Sequence, residues 1–411
     1  MLPVTPDAVA ALSLLNAEAV RTRAQHLLAL GLEDKLPHFR VDPSRLDAVA
    51  DLVLDVTRKA YPTLDVPFHS RWRHFVRQGE DRWAAIDNQA SWPNKAARAR
   101  AAFDLAIVSV FLDAGAGPSW RYRDASGETI GRSEGLAIAS LDMFARGAFS
   151  SDARDPLRAD ALEQLHADVL RQGLQISDTN PLVGVEGRAD LLRRLGKTVA
   201  ANPKVFGMKD SPRPGGLFDL FVALAEDGCI EAATILSELL RHLGPIWPSR
   251  LTLAGIPLGD CWRHPAMETA DATNELVPLH KLSQWLAYSL IEPLQDYGII
   301  VTAIDGLTGL AEYRNGGLFV DTDVLTLRDL TEQNREHDVA STLVVEWRAL
   351  TVALLDRLAA RLREQLHMDA NSLPLAKVLE GGTWAAGRLL AHERRSDASP
   401  PIRVVSDGTV F

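Results

Sequence analysis

Leu343-Val-Val-Glu-Trp-Arg-Ala-Leu-Thr-Val-Ala-Leu-Leu355 has only Glu346, Arg348 and Thr351 as polar residues. Leu343, Trp347, Leu350, Leu354 and Leu358 recur at the helical period, and the other faces are nearly as apolar, so the segment predicts a helix buried on all sides. Glu346 and Arg348 then need partners inside, because an ionised group without one is costly to bury. They are expected either to form a structural ion pair to neighbouring elements, or to hold a ligand or orient Glu312 and Arg314.

The same periodicity runs outward in both directions. Helices are expected over 6–31, 43–60, 94–114, 133–146, 155–173, 185–201, 217–243, 279–294, 338–366 and 381–393, punctuated by Pro and Gly. Strand signals are few: a small hairpin over Trp120–Ile130 around Gly127, and short extended runs at 298–303 and 402–405. The expected class is mainly α, a globular multi-helix fold with minor β hairpins. The chain reads as one large helical unit over 1–411, with a possible division into 1–200 and 217–411 at the Pro-rich stretch 203–216, which is expected to be a long functional loop.

With 411 residues, 46% of them hydrophobic, the chain can bury a large core without a metal or disulfide. Its net charge of -10 argues against coating a phosphate backbone, so no nucleic-acid partner is expected and a small-molecule substrate fits better. Two cysteines, Cys229 and Cys261, give neither a disulfide framework nor a CxxC pattern. No signal peptide and no long apolar run is evident, which predicts a cytoplasmic protein without a membrane partner. The sequence does not fix an oligomeric state.

Chemistry is expected first in Ile304-Asp-Gly-Leu-Thr-Gly-Leu-Ala-Glu-Tyr-Arg-Asn-Gly-Gly-Leu-Phe319, where Asp305, Glu312 and Arg314 sit in mostly apolar surroundings. Phe68-His-Ser-Arg-Trp-Arg-His-Phe75 packs Arg71, Arg73, His69 and His74 among aromatics, either as a phosphate clamp or as a basic turn with Trp72 and Phe75 in the core. Arg132-Ser133 reads as a helix start that could meet an anion. His264, His280, Lys281 and Trp285 form a further polar cluster, yet nothing has the spacing of a metal site, and no GxSxG, Walker or GxGxxG pattern occurs. Neither metal nor cofactor is expected. Gly215-Gly216, Gly316-Gly317 and Gly381-Gly382 read as turns and caps.

These stretches carry a resemblance. The segments His69–Phe75, Gly131–Leu136, Asn180–Gly184, Arg213–Asp219, His280–Trp285, Asp305–Gly317, Val345–Thr351, Glu380–Trp384 and Ser406–Phe411 are similar to the uracil-catabolism protein family of fungi and bacteria over nearly the full length. That resemblance implies a role in a uracil-degradation route ending in urea. More distantly, Lys281–Leu286, Asp305–Arg314 and Glu346-Trp-Arg348 resemble, in order and spacing, the queuosine salvage proteins, which cleave the N-glycosidic bond of a modified nucleoside 5'-phosphate. This implies a helical fold of the DNA-glycosylase-like kind. Where that family has Asp-Tyr-Arg, this chain has Glu312-Tyr313-Arg314, followed by Asn315-Gly-Gly317 in place of bulkier residues, which implies a different or smaller leaving group.

The expectation is therefore an enzyme, a metal-independent N-ribosidase of a ring-opened uracil nucleotide such as a ribosylurea 5'-phosphate. Glu312 is the expected catalytic carboxylate, with Asp305 or Glu346 on the ribose hydroxyls. Arg314 and Arg348 would lock the carboxylates. Lys281, His280 or the Arg71/Arg73 pair would hold the phosphate, with His74 and Arg132 beside them, and Trp285 or Tyr313 would cover the leaving group. The alternatives are an amidohydrolase or ureidohydrolase acting on the opened ring, and a non-catalytic ligand-binding protein of the same pathway.

Overall fold

The computed structural model describes residues 5–405 apart from 114, 118, 208, 210, 248 and 249. The chain is mainly helical. Thr342–Leu366 is its longest helix among the described residues, capped by the Ser341 hydroxyl and buried along every face from Leu343 to Leu355. It packs against Ala17–Leu32 and Leu46–Ala60, while Lys281–Tyr297 packs against Lys95–Phe111. One continuous hydrophobic core runs from Leu15 to Ile402 and draws on both the 1–200 and the 217–411 stretches.

Strands among the described residues occur in two-stranded pairs, some of them local hairpins and others joining distant segments. Arg121–Arg123 pairs antiparallel with Thr129–Gly131 in the expected hairpin. Ile300–Thr302 runs parallel to Cys229–Glu231, and Arg403–Val405 parallel to Glu336–Asp338. No helix among the described residues is long and apolar enough to cross a membrane.

Several expected helices are shorter or divided. The 6–31 segment breaks at Leu14, and Asn16 recaps it by accepting from the Ala19 amide. The 217–243 segment becomes Leu217–Leu224 and Ala232–Leu243, because strand pairing with Ile300–Thr302 claims Cys229–Glu231. Of 155–173, only a 3-10 turn at Leu162–Gln164 and the helix Ala167–Gly173 are helical.

The 203–216 stretch is a structural tie in its described part. Asp104, buried on the Lys95 helix, accepts from the Gly215 and Ala159 amides and pairs with Arg213 at 3.3 Å. Gly215 and Gly216 press against the carbonyls of Arg100 and Phe206, leaving no room for a side chain. Likewise Gly316 lies inside the helix Tyr313–Asp321, where a Cβ would come within 2.7 Å of the Trp347 indole. It serves close packing rather than a turn.

Candidate functional site

Three helix N-termini converge: Arg132–Ala145, Lys281–Tyr297 and Tyr313–Asp321. Residues at two of these entries, Arg132 and His280, have φ of 57° and 46°, a left-handed conformation that non-glycine residues adopt at a cost. The left-handed turn at Arg132 follows the hairpin strand Thr129–Gly131, and Gly135 lets the helix close onto the Ile130 carbonyl.

Glu312 is the N-cap of the third helix. Its carboxylate accepts from the Arg314 amide at 2.7 Å and the Asn315 amide at 2.5 Å, and only 9% of the residue is exposed. Burial raises its pKa, opposed by those two amides and by the Lys281 ammonium. Lys281 is itself lowered by burial, against the pull of Glu312 and Asp113. Asp113, just past the Lys95 helix, is raised by burial although Arg71 pairs with it at 2.9 Å and the Ser133 hydroxyl donates to it at 2.6 Å.

Arg71 is wholly buried. Its Nε donates to Ser109 and its Nη1 to the Ser133 carbonyl, while His74 Nδ1 lies 3.1 Å from Nη1. The other terminal nitrogen, Nη2, has no partner among the described residues. Burial first, and then Arg71, holds His74 well below the usual imidazole range, so it is neutral. Trp285 lies 5.8 Å from the His74 ring and its buried indole N–H is also unpartnered among the described residues. Trp384 lies 6.5 Å from His74 on another side, and Arg388 stacks over Trp384 while pairing with Glu134 at 2.8 Å.

Lys281, Tyr313, His74, Asp113 and Arg132 all keep part of their surface accessible, yet desolvation is the leading influence on the ionisation of each. Partial accessibility combined with strong desolvation is what the wall of a crevice presents, and we take these groups to line one. Arg314 stacks on Tyr313 at 5.1 Å and donates to the Ala398 carbonyl. The Arg132 side chain makes no hydrogen bond or ion pair among the described residues. Its pKa is lowered by burial and then by Arg314, with Arg388 adding to the repulsion.

The expected residues thus divide. Glu312, Tyr313, Arg314, Lys281, Trp285, Arg71, His74 and Arg132 gather around one crevice. Asp305 instead pairs with Arg363 at 2.5 Å and accepts from the Leu375 amide. Glu346 is fully buried against the amides of His38 and Phe39 and against His264. Arg348 forms a two-pronged pair with Asp260 at 2.8 Å and donates to the Ala311 carbonyl, so it braces the backbone just before Glu312. Burial pushes the Asp260 carboxyl up, but the Arg348 guanidinium outweighs it and holds the group far below the usual range. His280 bonds the Leu14 carbonyl, and Arg73 pairs with Glu292.

Asp113, Trp384 and Arg388 are crevice residues that sequence reasoning missed. The one signal for Asp113 was a carboxylate closing an apolar helix ahead of Gly115. An open groove of about 500 Å³ lies elsewhere, lined by Asn16, Arg21, Ala233, Ser237 and Gly306, but its Arg21 is committed to Asp356 and to the carbonyls of Asp305 and Leu307.

Residues 13–411 match the family described as "Protein of unknown function (DUF1688)". The chain is similar to "Protein urg3" of Schizosaccharomyces pombe, 40% identical over 412 residues, covering 97% of this chain and 98% of that protein. It is also similar to "Uracil catabolism protein 4" of Lachancea kluyveri, 37% identical over 409 residues, covering 91% and 92%.

Proposed function

We propose that this chain, which belongs to the DUF1688 family of proteins of unknown function, acts in uracil catabolism as an N-ribosidase on a ring-opened uracil nucleotide, releasing a urea-type product and ribose 5-phosphate. The pathway follows from the relative whose name places it in uracil catabolism. One observation supports the reaction best: a desolvated carboxylate, Glu312, held by two main-chain amides beside Lys281.

Glycosidic cleavage develops positive charge at the anomeric carbon. A carboxylate held without solvent stabilises that charge strongly and takes a proton from the attacking water. Tyr313, Trp384 and Trp285 offer ring surfaces to the sugar and leaving group. Arg132 and Lys281, with the start of the Arg132 helix between the hairpin and Arg71, suit the 5'-phosphate. Asp305 and Glu346 have structural partners and no part in this reading.

The test is incubation of the purified protein with ribosylurea 5'-phosphate and assay of ribose 5-phosphate. Release by the wild type, cut at least about 100-fold in Glu312→Gln, is the expected result. Ammonia liberated without a reducing sugar would instead mark amide or ureide hydrolysis, and stabilisation by the nucleotide without turnover a binding protein.

A further inference from the structure

We propose that His69 is a further catalytic residue of this crevice, held by Glu380 so that the proton it gives to the departing nitrogen travels on Nε2. This rests on the N-ribosidase reading and supplies what that reading lacks, an acid for a leaving group too basic to depart as an anion.

His69 Nδ1 lies 2.7 Å from Glu380 Oε2. A carboxylate accepts, so Nδ1 carries the hydrogen in both the neutral and the protonated ring, and Nε2 is the nitrogen whose proton comes and goes. The other Glu380 oxygen accepts from the Tyr61 hydroxyl, and the His69 amide is tied to the Ala376 carbonyl. Glu380 sits in a π-helical turn, Leu379–Thr383, a rare geometry that recurs at functional sites.

The His69 ring lies 4.6 Å from the Trp285 indole, which His74 approaches at 5.8 Å. Arg71 can only donate, so His74 Nδ1 accepts and its hydrogen is on Nε2. The two imidazoles on one indole are therefore held in opposite tautomers. Of the two, only His69 is hydrogen-bonded to a carboxylate, and no hydrogen bond to its Nε2 is made among the described residues.

In the reaction, the bond from the anomeric carbon to nitrogen breaks and its electron pair goes to nitrogen, which takes the Nε2 proton of protonated His69. Water bonds to the anomeric carbon and gives one proton to Glu312. A proton then passes through solvent from Glu312 to His69, restoring both. The groups facing His69 are Glu380, whose other oxygen holds Tyr61, and His74 from its own segment, which Arg73 also approaches.

His69→Asn tests this, because the amide nitrogen of Asn replaces Nδ1 and keeps the Glu380 bond while Nε2 is lost. The melting temperature should stay near that of the wild type, and turnover of ribosylurea 5'-phosphate should fall about 100-fold or more. A 4-nitrophenyl riboside 5'-phosphate, whose phenolate leaves unprotonated, should be cleaved at close to the wild-type rate. Unchanged ribosylurea turnover, or equal loss on both substrates, overturns the proposal. Glu380→Gln, which keeps a partner for Nδ1 but removes the charge, should lower turnover of ribosylurea 5'-phosphate while sparing the 4-nitrophenyl substrate, and equal loss on both counts against the pair. Wild-type protein that cleaves neither substrate refutes the N-ribosidase reading instead. The tautomers are then decided by nitrogen NMR of labelled histidine, where His69 protonated on Nε2 alone overturns the assignment.

Discussion

Glu312 caps a helix and is also the proposed base, so a single substitution touches both roles. In Glu312→Gln the side-chain amide keeps one acceptor oxygen, and one of the Arg314 and Asn315 amides faces an NH2, which costs about 1 kcal/mol of stability. A rate loss of two orders of magnitude or more is far beyond what that cost explains in a chain that remains folded. The pH dependence separates the roles further. Burial raises this carboxyl, so folding favours its protonated form. The stability it contributes is fully present below the ordinary carboxyl range and is lost as pH rises through the raised value. Activity has the opposite sense, since the base must be ionised. We expect the acid limb of kcat/KM to lie above the ordinary glutamate value of about 4.3. Lys281→Met should push it higher still, because Lys281 is among the groups that favour the anion. A limb unmoved by that change would show that Glu312 is not the group being read. The apolar run around Glu312 made it legible as a buried acid, but Asp305 looked identical in sequence. What separates them is Arg363, 58 positions away and invisible to local pattern.

At the scale of elements, periodicity recovered the long helices because a buried stripe needs only local spacing to be seen. Val185–Ala201 and Leu46–Ala60 fall where the pattern put them. Tyr313–Asp321, the helix that Glu312 caps, went unread, since Arg-Asn-Gly-Gly has poor intrinsic helix propensity and looks like a turn. Tertiary packing overrides that preference: Gly316 makes room for Trp347, and Gly387 on the Trp384–Arg394 helix meets the Arg314 carbonyl backbone to backbone. A side chain at 387 would therefore pry the crevice helix from its neighbour. Gly387→Ala is expected to cost about 1–3 kcal/mol in chemical denaturation, as overpacking does. It should also lower turnover more than Gly255→Ala, where a φ of 77° brings backbone strain but a Cβ meets nothing within 4 Å. Equal effects at the two glycines would mean that the 313–321 and 384–394 contact does not position the site.

Across the whole molecule the net charge is -10, yet Arg71, Arg132, Lys281, Arg314 and Arg388 collect at one crevice against Asp113, Glu134 and Glu312. Total charge hid this, because only the fold brings cations from five separate segments together. Arg71 is unsuited to test the anion site, since its loss strips the partner from buried Asp113 and leaves a costly unpaired charge. Arg132 is better: half-buried, unpaired among the described residues, and repelled by Arg314 and Arg388, it gains from an arriving phosphate what the resting protein does not give it. Ribose 5-phosphate at 100 times its Kd should then stabilise the protein by about 2.7 kcal/mol, seen as a rise in melting temperature. The rise should shrink with added salt, as exposed charges are screened over about 8 Å at physiological ionic strength. In Arg132→Ala the melting temperature without ligand should hold or increase, because a like-charge repulsion is removed, while the rise on adding ribose 5-phosphate is mostly lost. A variant that keeps the full rise would place the phosphate elsewhere. One that melts early without ligand would show that Arg132 serves the fold.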